Sequence, residues 1–152
     1  MKEFRDNTGA RWPISVTVES VKRVRDLCDG IDLLSLATPG NDLLLRLEDP
    51  CSLVGVLYAL CKPEIDKRGV TPEAFGEMFT GEHLEEATTA LLEEIIEFFP
   101  SKKRQILHHA LRKVIEVGEK KKQADFDRAM KQIESPEFED ALSKALDKVY
   151  GV

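Results

Sequence analysis

The first eighteen residues alternate. Glu3 to Arg5 precede a polar turn, Asp6-Asn7-Thr8-Gly9, and Arg11 to Val18 then place Trp12, Ile14, Val16 and Val18 on one side. A period of two with a turn between reads as a β-hairpin whose second strand has an apolar face. Pro13 has no amide hydrogen, so it belongs at a strand start or an edge. Two strands alone are marginal in water, so the hairpin needs helices to cover it. The period then changes. Val21, Val24, Leu27 and Cys28 recur at helical spacing behind Thr17 or Ser20 as cap, and the segment ends near Asp29-Gly30. Leu33 to Leu47, interrupted by Thr38-Pro39-Gly40-Asn41, fits either short helices or one more strand.

Beyond residue 48 the helix signals are regular. Asp49-Pro50 is a cap followed by proline at the first helical position, and Leu53, Val54, Leu57, Leu60 and Cys61 follow. Lys62-Pro63 is expected to end or kink this helix. Thr71-Pro72 repeats the signature before Phe75, Met78 and Phe79. Thr80-Gly81 opens a longer helix, with Leu84, Ala87, Leu91, Leu92, Ile95, Ile96 and Phe99 on one broad face as the expected heart of the core. Pro100 stops it, and Ser101 is expected to cap a helix carrying Ile106, Leu107, Ala110, Leu111, Val114 and Ile115. The short loop favours an antiparallel pair. Gly118 and the lysines after it either end that helix or weaken it. Phe126, Ala129, Met130 and Ile133 form a narrower stripe, and Ser135-Pro136 starts a last helix with Phe138, Leu142, Ala145, Leu146 and Val149.

The fold class expected is therefore α+β, mainly helical, with an N-terminal hairpin packed on about five or six helices. At 152 residues the chain reads as one domain: a hairpin-plus-helix body over 1–118, and charged amphipathic helices over 119–152 that project from it.

Charge adds a second pattern. The net −6 is unevenly placed: residues 62–99 hold ten acidic against three basic side chains, and residues 101–122 hold eight basic against two acidic. Either the two helices attract one another within the chain, or acidic and basic segments of successive copies associate into a homo-oligomer. The acidic total, without aromatics interleaved among the basic residues, argues against nucleic acid. No apolar run is long enough to cross a bilayer, and the polar start MKEFRDNTG is unlike a signal peptide, so no membrane partner and a cytosolic location are expected. Cys28, Cys51 and Cys61 include no CxxC pair and lie in apolar contexts, as reduced structural thiols would.

Catalytic constellations are missing from the sequence. It contains no G-x-S-x-G, phosphate loop, G-x-G-x-x-G or H-E-x-x-H. His108 and His109 are adjacent and so point about 100° apart on a helix, which prevents them from sharing a metal. Glu85, Glu86, Glu93, Glu94 and Glu97 fit a solvated helix face. Neither a metal nor an organic cofactor is expected, and the chain reads as non-enzymatic. What remains for recognition is apolar surface: Phe98 at the margin of the core, and Phe126, Met130, Ile133, Phe138 and Leu142, which form either a face for another protein or packing against the chain's own body.

The ordered blocks E-F-R-D-N-T-G-A-R-W-P-I-S-V-T-V, V-K-R-V-R-D, G-I-D-L-L, D-P-C-S-L-V-G-V-L-Y-A-L-C, R-G-V-T-P-E-A-F-G-E and L-L-E-E-I-I-E-F-F-P cover roughly residues 3–115. Together they resemble the tail assembly chaperones of long-tailed bacteriophages and prophages. The resemblance implies a self-associating, non-enzymatic helical protein in the host cytoplasm that coats the tape measure protein and recruits tail tube protein subunits. A structural or connecting component of the tail is the alternative. None of these blocks is a catalytic signature.

Overall fold

A computed structural model describes residues 2–151. They form strands β1 (Lys2–Arg5) and β2 (Arg11–Ile14), helices α1 (Val18–Leu27), α2 (Leu43–Leu47), α3 (Pro50–Arg68), α4 (Pro72–Gly76), α5 (Gly81–Glu97), α6 (Ser101–Ile133) and α7 (Pro136–Tyr150), and a 3-10 turn at Leu33–Ala37. The α+β, mainly helical class holds. The chain divides into two compact units, 1–108 and 109–152, with the division inside α6.

In the first unit β1 and β2 pair antiparallel, with Phe4 opposite Trp12. The hairpin turn is organised by Asp6. Its Oδ1 accepts from the Thr8 amide, the Thr8 hydroxyl and the Ala10 amide, and its Oδ2 accepts from the Trp12 indole at 2.9 Å. Gly9, at φ +83°, supplies the left-handed residue that this turn needs. Trp12 is thereby fixed with its ring nearly perpendicular to that of Phe75, centroids 5.3 Å apart, and with the Arg68 guanidinium 4.1 Å over its face. The strand is shorter than the alternation predicts. Val16 is buried, but Val18 is the first residue of α1 and is exposed, because Thr17 already caps that helix. Both candidate caps act: the Ser20 amide donates to Thr17 Oγ1, and the Thr17 amide donates to Ser20 Oγ.

The sheet has no third strand among the described residues; Leu33–Ala37 and Leu43–Leu47 are short helical turns. The expectation that Pro63 ends or kinks α3 is corrected as to the ending, since α3 runs through it to Arg68 and stops at Gly69 in the left-handed conformation. Pro63 has no amide hydrogen to give the Ala59 carbonyl four residues back. The Arg23 guanidinium of α1 donates to that carbonyl at 2.8 Å instead. This bond ties α1 to α3 where the helix ladder is interrupted.

Helix α5 is the centre of the core, as its pattern predicts: Ala87, Leu91, Ile95 and Ile96 are buried. It lies against the hairpin, with Lys2 bridging to Glu93 at 3.2 Å and Arg5 to Glu86 at 3.5 Å. Glu94 departs from the solvated-face reading, being only 9% exposed. Pro100, not Ser101, holds the cap position of α6, its carbonyl accepting from the Arg104 amide. The apolar stripe of α6 does not enter the core. No residue of α6 is buried, and Ile106 in the first unit is 68% exposed.

The second unit holds the rest of α6 and α7. Gly118 and the lysines after it do not end α6, which continues to Ile133. Ser135 caps α7, accepting from the Phe138 amide at 3.2 Å, with Pro136 at the first helical position. No residue of α7 is buried either.

Candidate interaction surface on α6 and α7

Several ionisable groups stand out, and each has a structural task. Both carboxylate oxygens of Asp6 are engaged by the turn. Burial opposes its charge, but the hydrogen bonds from Thr8, Trp12 and Ala10 outweigh it and hold the carboxyl below its ordinary value. On the surface of the first unit, His108 Nε2 lies 3.0 Å from Glu97 Oε1, with Arg104 3.9 Å from the same carboxylate. The His108 hydrogen bond, aided by Arg104 against some desolvation, keeps Glu97 low. His83 meets the Thr80 hydroxyl at the start of α5. Among the described residues no three His, Cys, Asp or Glu side chains are grouped so that they could hold a metal ion.

The three thiols are free and differ in setting: Cys61 is buried, Cys28 half-buried and Cys51 exposed, so the apolar-context reading fails for Cys51. Burial pushes the Cys61 thiol up to about 12, and burial with the neighbouring Asp29 raises Cys28. Cys28 and Cys51 share a cleft of about 280 Å³ with Leu27, Ile31, Arg46 and Gly55. That volume is just below the ~300 Å³ at which small-molecule sites begin.

The apolar candidates divide between the units. Phe98 closes α5 in the first unit, half-buried, its ring edge-on to Phe99 at 5.7 Å. The other five lie in the second unit, and all are exposed: Phe126 at 60%, Phe138 at 40%, and Met130, Ile133 and Leu142 between them. Phe126, Met130 and Ile133 are spaced four and three apart and share one side of α6, while Phe138 and Leu142 share one side of α7. Val114, Ile115 and Val117 on α6, and Leu146 and Val149 on α7, are equally uncovered. Their helical spacing reads as core in the sequence, and nothing in that spacing distinguishes a face covered by the chain from one left bare. These side chains leave apolar surface exposed on both helices.

No helix among the described residues is long and apolar enough to cross a membrane. Comparison of the chain with protein-family models, with curated proteins and with solved structures finds no match.

Proposed function

We propose that this chain is a non-enzymatic tail assembly chaperone of a long-tailed bacteriophage or prophage, acting in the host cytoplasm by binding the helical tape measure protein and helping to recruit tail tube subunits. The observation that carries the reading is the uncovered apolar surface of α6 and α7, from Val114 to Val149, on helices whose own unit buries none of it. A long helical partner with a matching apolar stripe removes that surface from water at about 25 cal/mol per Å². The ordered sequence blocks of the first unit supply the resemblance to tail proteins, and its hairpin and α5 supply the stable body that carries the binding helices.

Co-expression with the tape measure protein of the same tail gene cluster tests this. The chain is expected to co-purify with it and to keep it in the soluble fraction, and the Phe126→Glu, Leu142→Glu variant is expected to do neither. Mature particles separate the chaperone from a structural tail component: a chaperone leaves before the virion is complete, so the chain is expected to be absent from purified virions. Its stoichiometric presence there would transfer the assignment to a structural role.

A further inference from the structure

We infer that the cleft between the end of α1 and the start of α3 is a modification site, where Cys51 takes up one half of a small disulfide carrying α-amino-acid groups, of which cystine is the simplest. This inference is independent of the tail assembly reading and rests on residues of the first unit alone.

The cleft lies where two helix ends meet. Cys28 caps the end of α1, and its sulfur lies 3.9 Å from where a Cβ on Gly55 would stand, so the α3 side of the contact is a glycine. Cys51 is four residues before Gly55 and shares that side of α3. It is exposed, whereas Cys28 is half-buried. Arg46 enters the lining from α2, and Asp29 enters it from the residue after the α1 cap. Among the described residues neither Arg46 nor Asp29 is held in an ion pair. The cleft therefore joins an accessible thiol to one cation and one anion whose charges the fold leaves uncompensated.

That set is complementary to a thiol compound with a carboxylate and an ammonium on the same carbon. The planar guanidinium of Arg46 suits the carboxylate, and the Asp29 carboxylate suits the ammonium. A volume of about 280 Å³ is small for a ligand held by contacts alone, and it suits one held by a covalent bond. Cys51 gives its proton to solvent, and the thiolate electron pair attacks one sulfur of cystine. The cystine S–S bond breaks, a new S–S bond joins Cys51 Sγ to a half-cystine, and the departing cysteine thiolate takes up a proton. One disulfide is consumed and one is formed, so no other oxidant is required. Cys28 is the poorer nucleophile of the two, because burial and the neighbouring Asp29 favour its protonated form.

Exchange with cystine, cystamine, dithiodipropionate and bis(2-hydroxyethyl) disulfide tests the assignment on the full reduced chain. These reagents carry both charges, the ammonium only, the carboxylate only and neither. Peptide mapping by mass spectrometry reads the rate at Cys51, divided for each reagent by its rate with free N-acetylcysteine. Cystine is expected to attach at Cys51 and to exceed the uncharged reagent by about two- to fivefold or more, the range of exposed ion pairs. Arg46→Gln is expected to slow cystine and dithiodipropionate but not cystamine. Asp29→Asn, which keeps a side chain that tolerates the left-handed φ of +49°, is expected to slow cystine and cystamine but not dithiodipropionate. Gly55→Leu fills the cleft and is expected to remove the preference for cystine, with unchanged circular dichroism. Four results would each overturn the inference: no preference for cystine over the uncharged reagent, charge variants that alter all reagents equally, first attachment at Cys28 or Cys61, or an internal Cys28–Cys51 disulfide in place of the adduct.

Discussion

The Arg23 contact offers a quantitative test of how α3 passes through a proline. Ala59 is fully buried, and Pro63 denies its carbonyl the usual helix donor, so the guanidinium at 2.8 Å is its replacement. Arg23→Met keeps much of the aliphatic stem and removes the donor. Leaving a buried carbonyl without a partner costs about 1–3 kcal/mol, which for a cooperative unit of this size corresponds to a fall of roughly 5–15 °C in Tm. Pro63→Ala restores an amide that bonds the same carbonyl, so in that background Arg23→Met is expected to cost less than about 1 kcal/mol. Urea unfolding of the wild type, both single variants and the double variant, followed by circular dichroism at 222 nm, measures the coupling. Equal costs of Arg23→Met in the two backgrounds would refute the reasoning, because the guanidinium would then not be serving the carbonyl that Pro63 frees.

Further outcomes follow from the turn, the thiols and a helix end. Asp6→Asn retains the shape and loses the charge-assisted bonds; it is expected to lower stability by about 1–3 kcal/mol at pH 7, read by urea unfolding. The Asp6 carboxyl is depressed in the fold, so its contribution is present above the ordinary value of 3.8 and is lost as pH falls through the lower folded value. The stability gap between wild type and Asp6→Asn is therefore expected to close at acid pH, and a gap that widens there would contradict the assignment. With a maleimide reagent and mass spectrometry, Cys51 is expected to label first, Cys28 more slowly and Cys61 only in denaturant; early labelling of Cys61 would show that α3 opens locally. Gly69→Ala, at φ +68°, is expected to cost about 1 kcal/mol by thermal unfolding.

Much of the first unit is legible in the sequence because its signals are local. The Asp6–Gly9 turn, the Trp12 and Ile14 alternation, the Asp49-Pro50 start and the α5 stripe each lie within a few residues of what they determine. The passage of α3 through Pro63 is not legible, since the donor that makes it tolerable is Arg23, 36 positions from the Ala59 carbonyl it serves. The same limit applies to α6. Ile106, Val114 and Ile115 have the spacing of core residues, and periodicity identifies the face of a helix without saying what, if anything, covers it. Glu94 shows the converse, a charged residue in a plausible solvent pattern that the fold nonetheless buries. The five recognition candidates on α6 and α7 were readable as apolar leftovers, while Val117, Leu146 and Val149 become candidates only once their exposure is known.

Under the proposed function, the bare faces of α6 and α7 are where this chain meets a helical partner. Amide hydrogen exchange across residues 101–150, with and without a soluble helical segment of the tape measure protein, tests it most directly. Slower exchange is expected in α6 and α7 on addition of the segment, with the hairpin and α5 unchanged. Unaltered exchange in both helices while the segment demonstrably binds, or protection confined to the first unit, would contradict it.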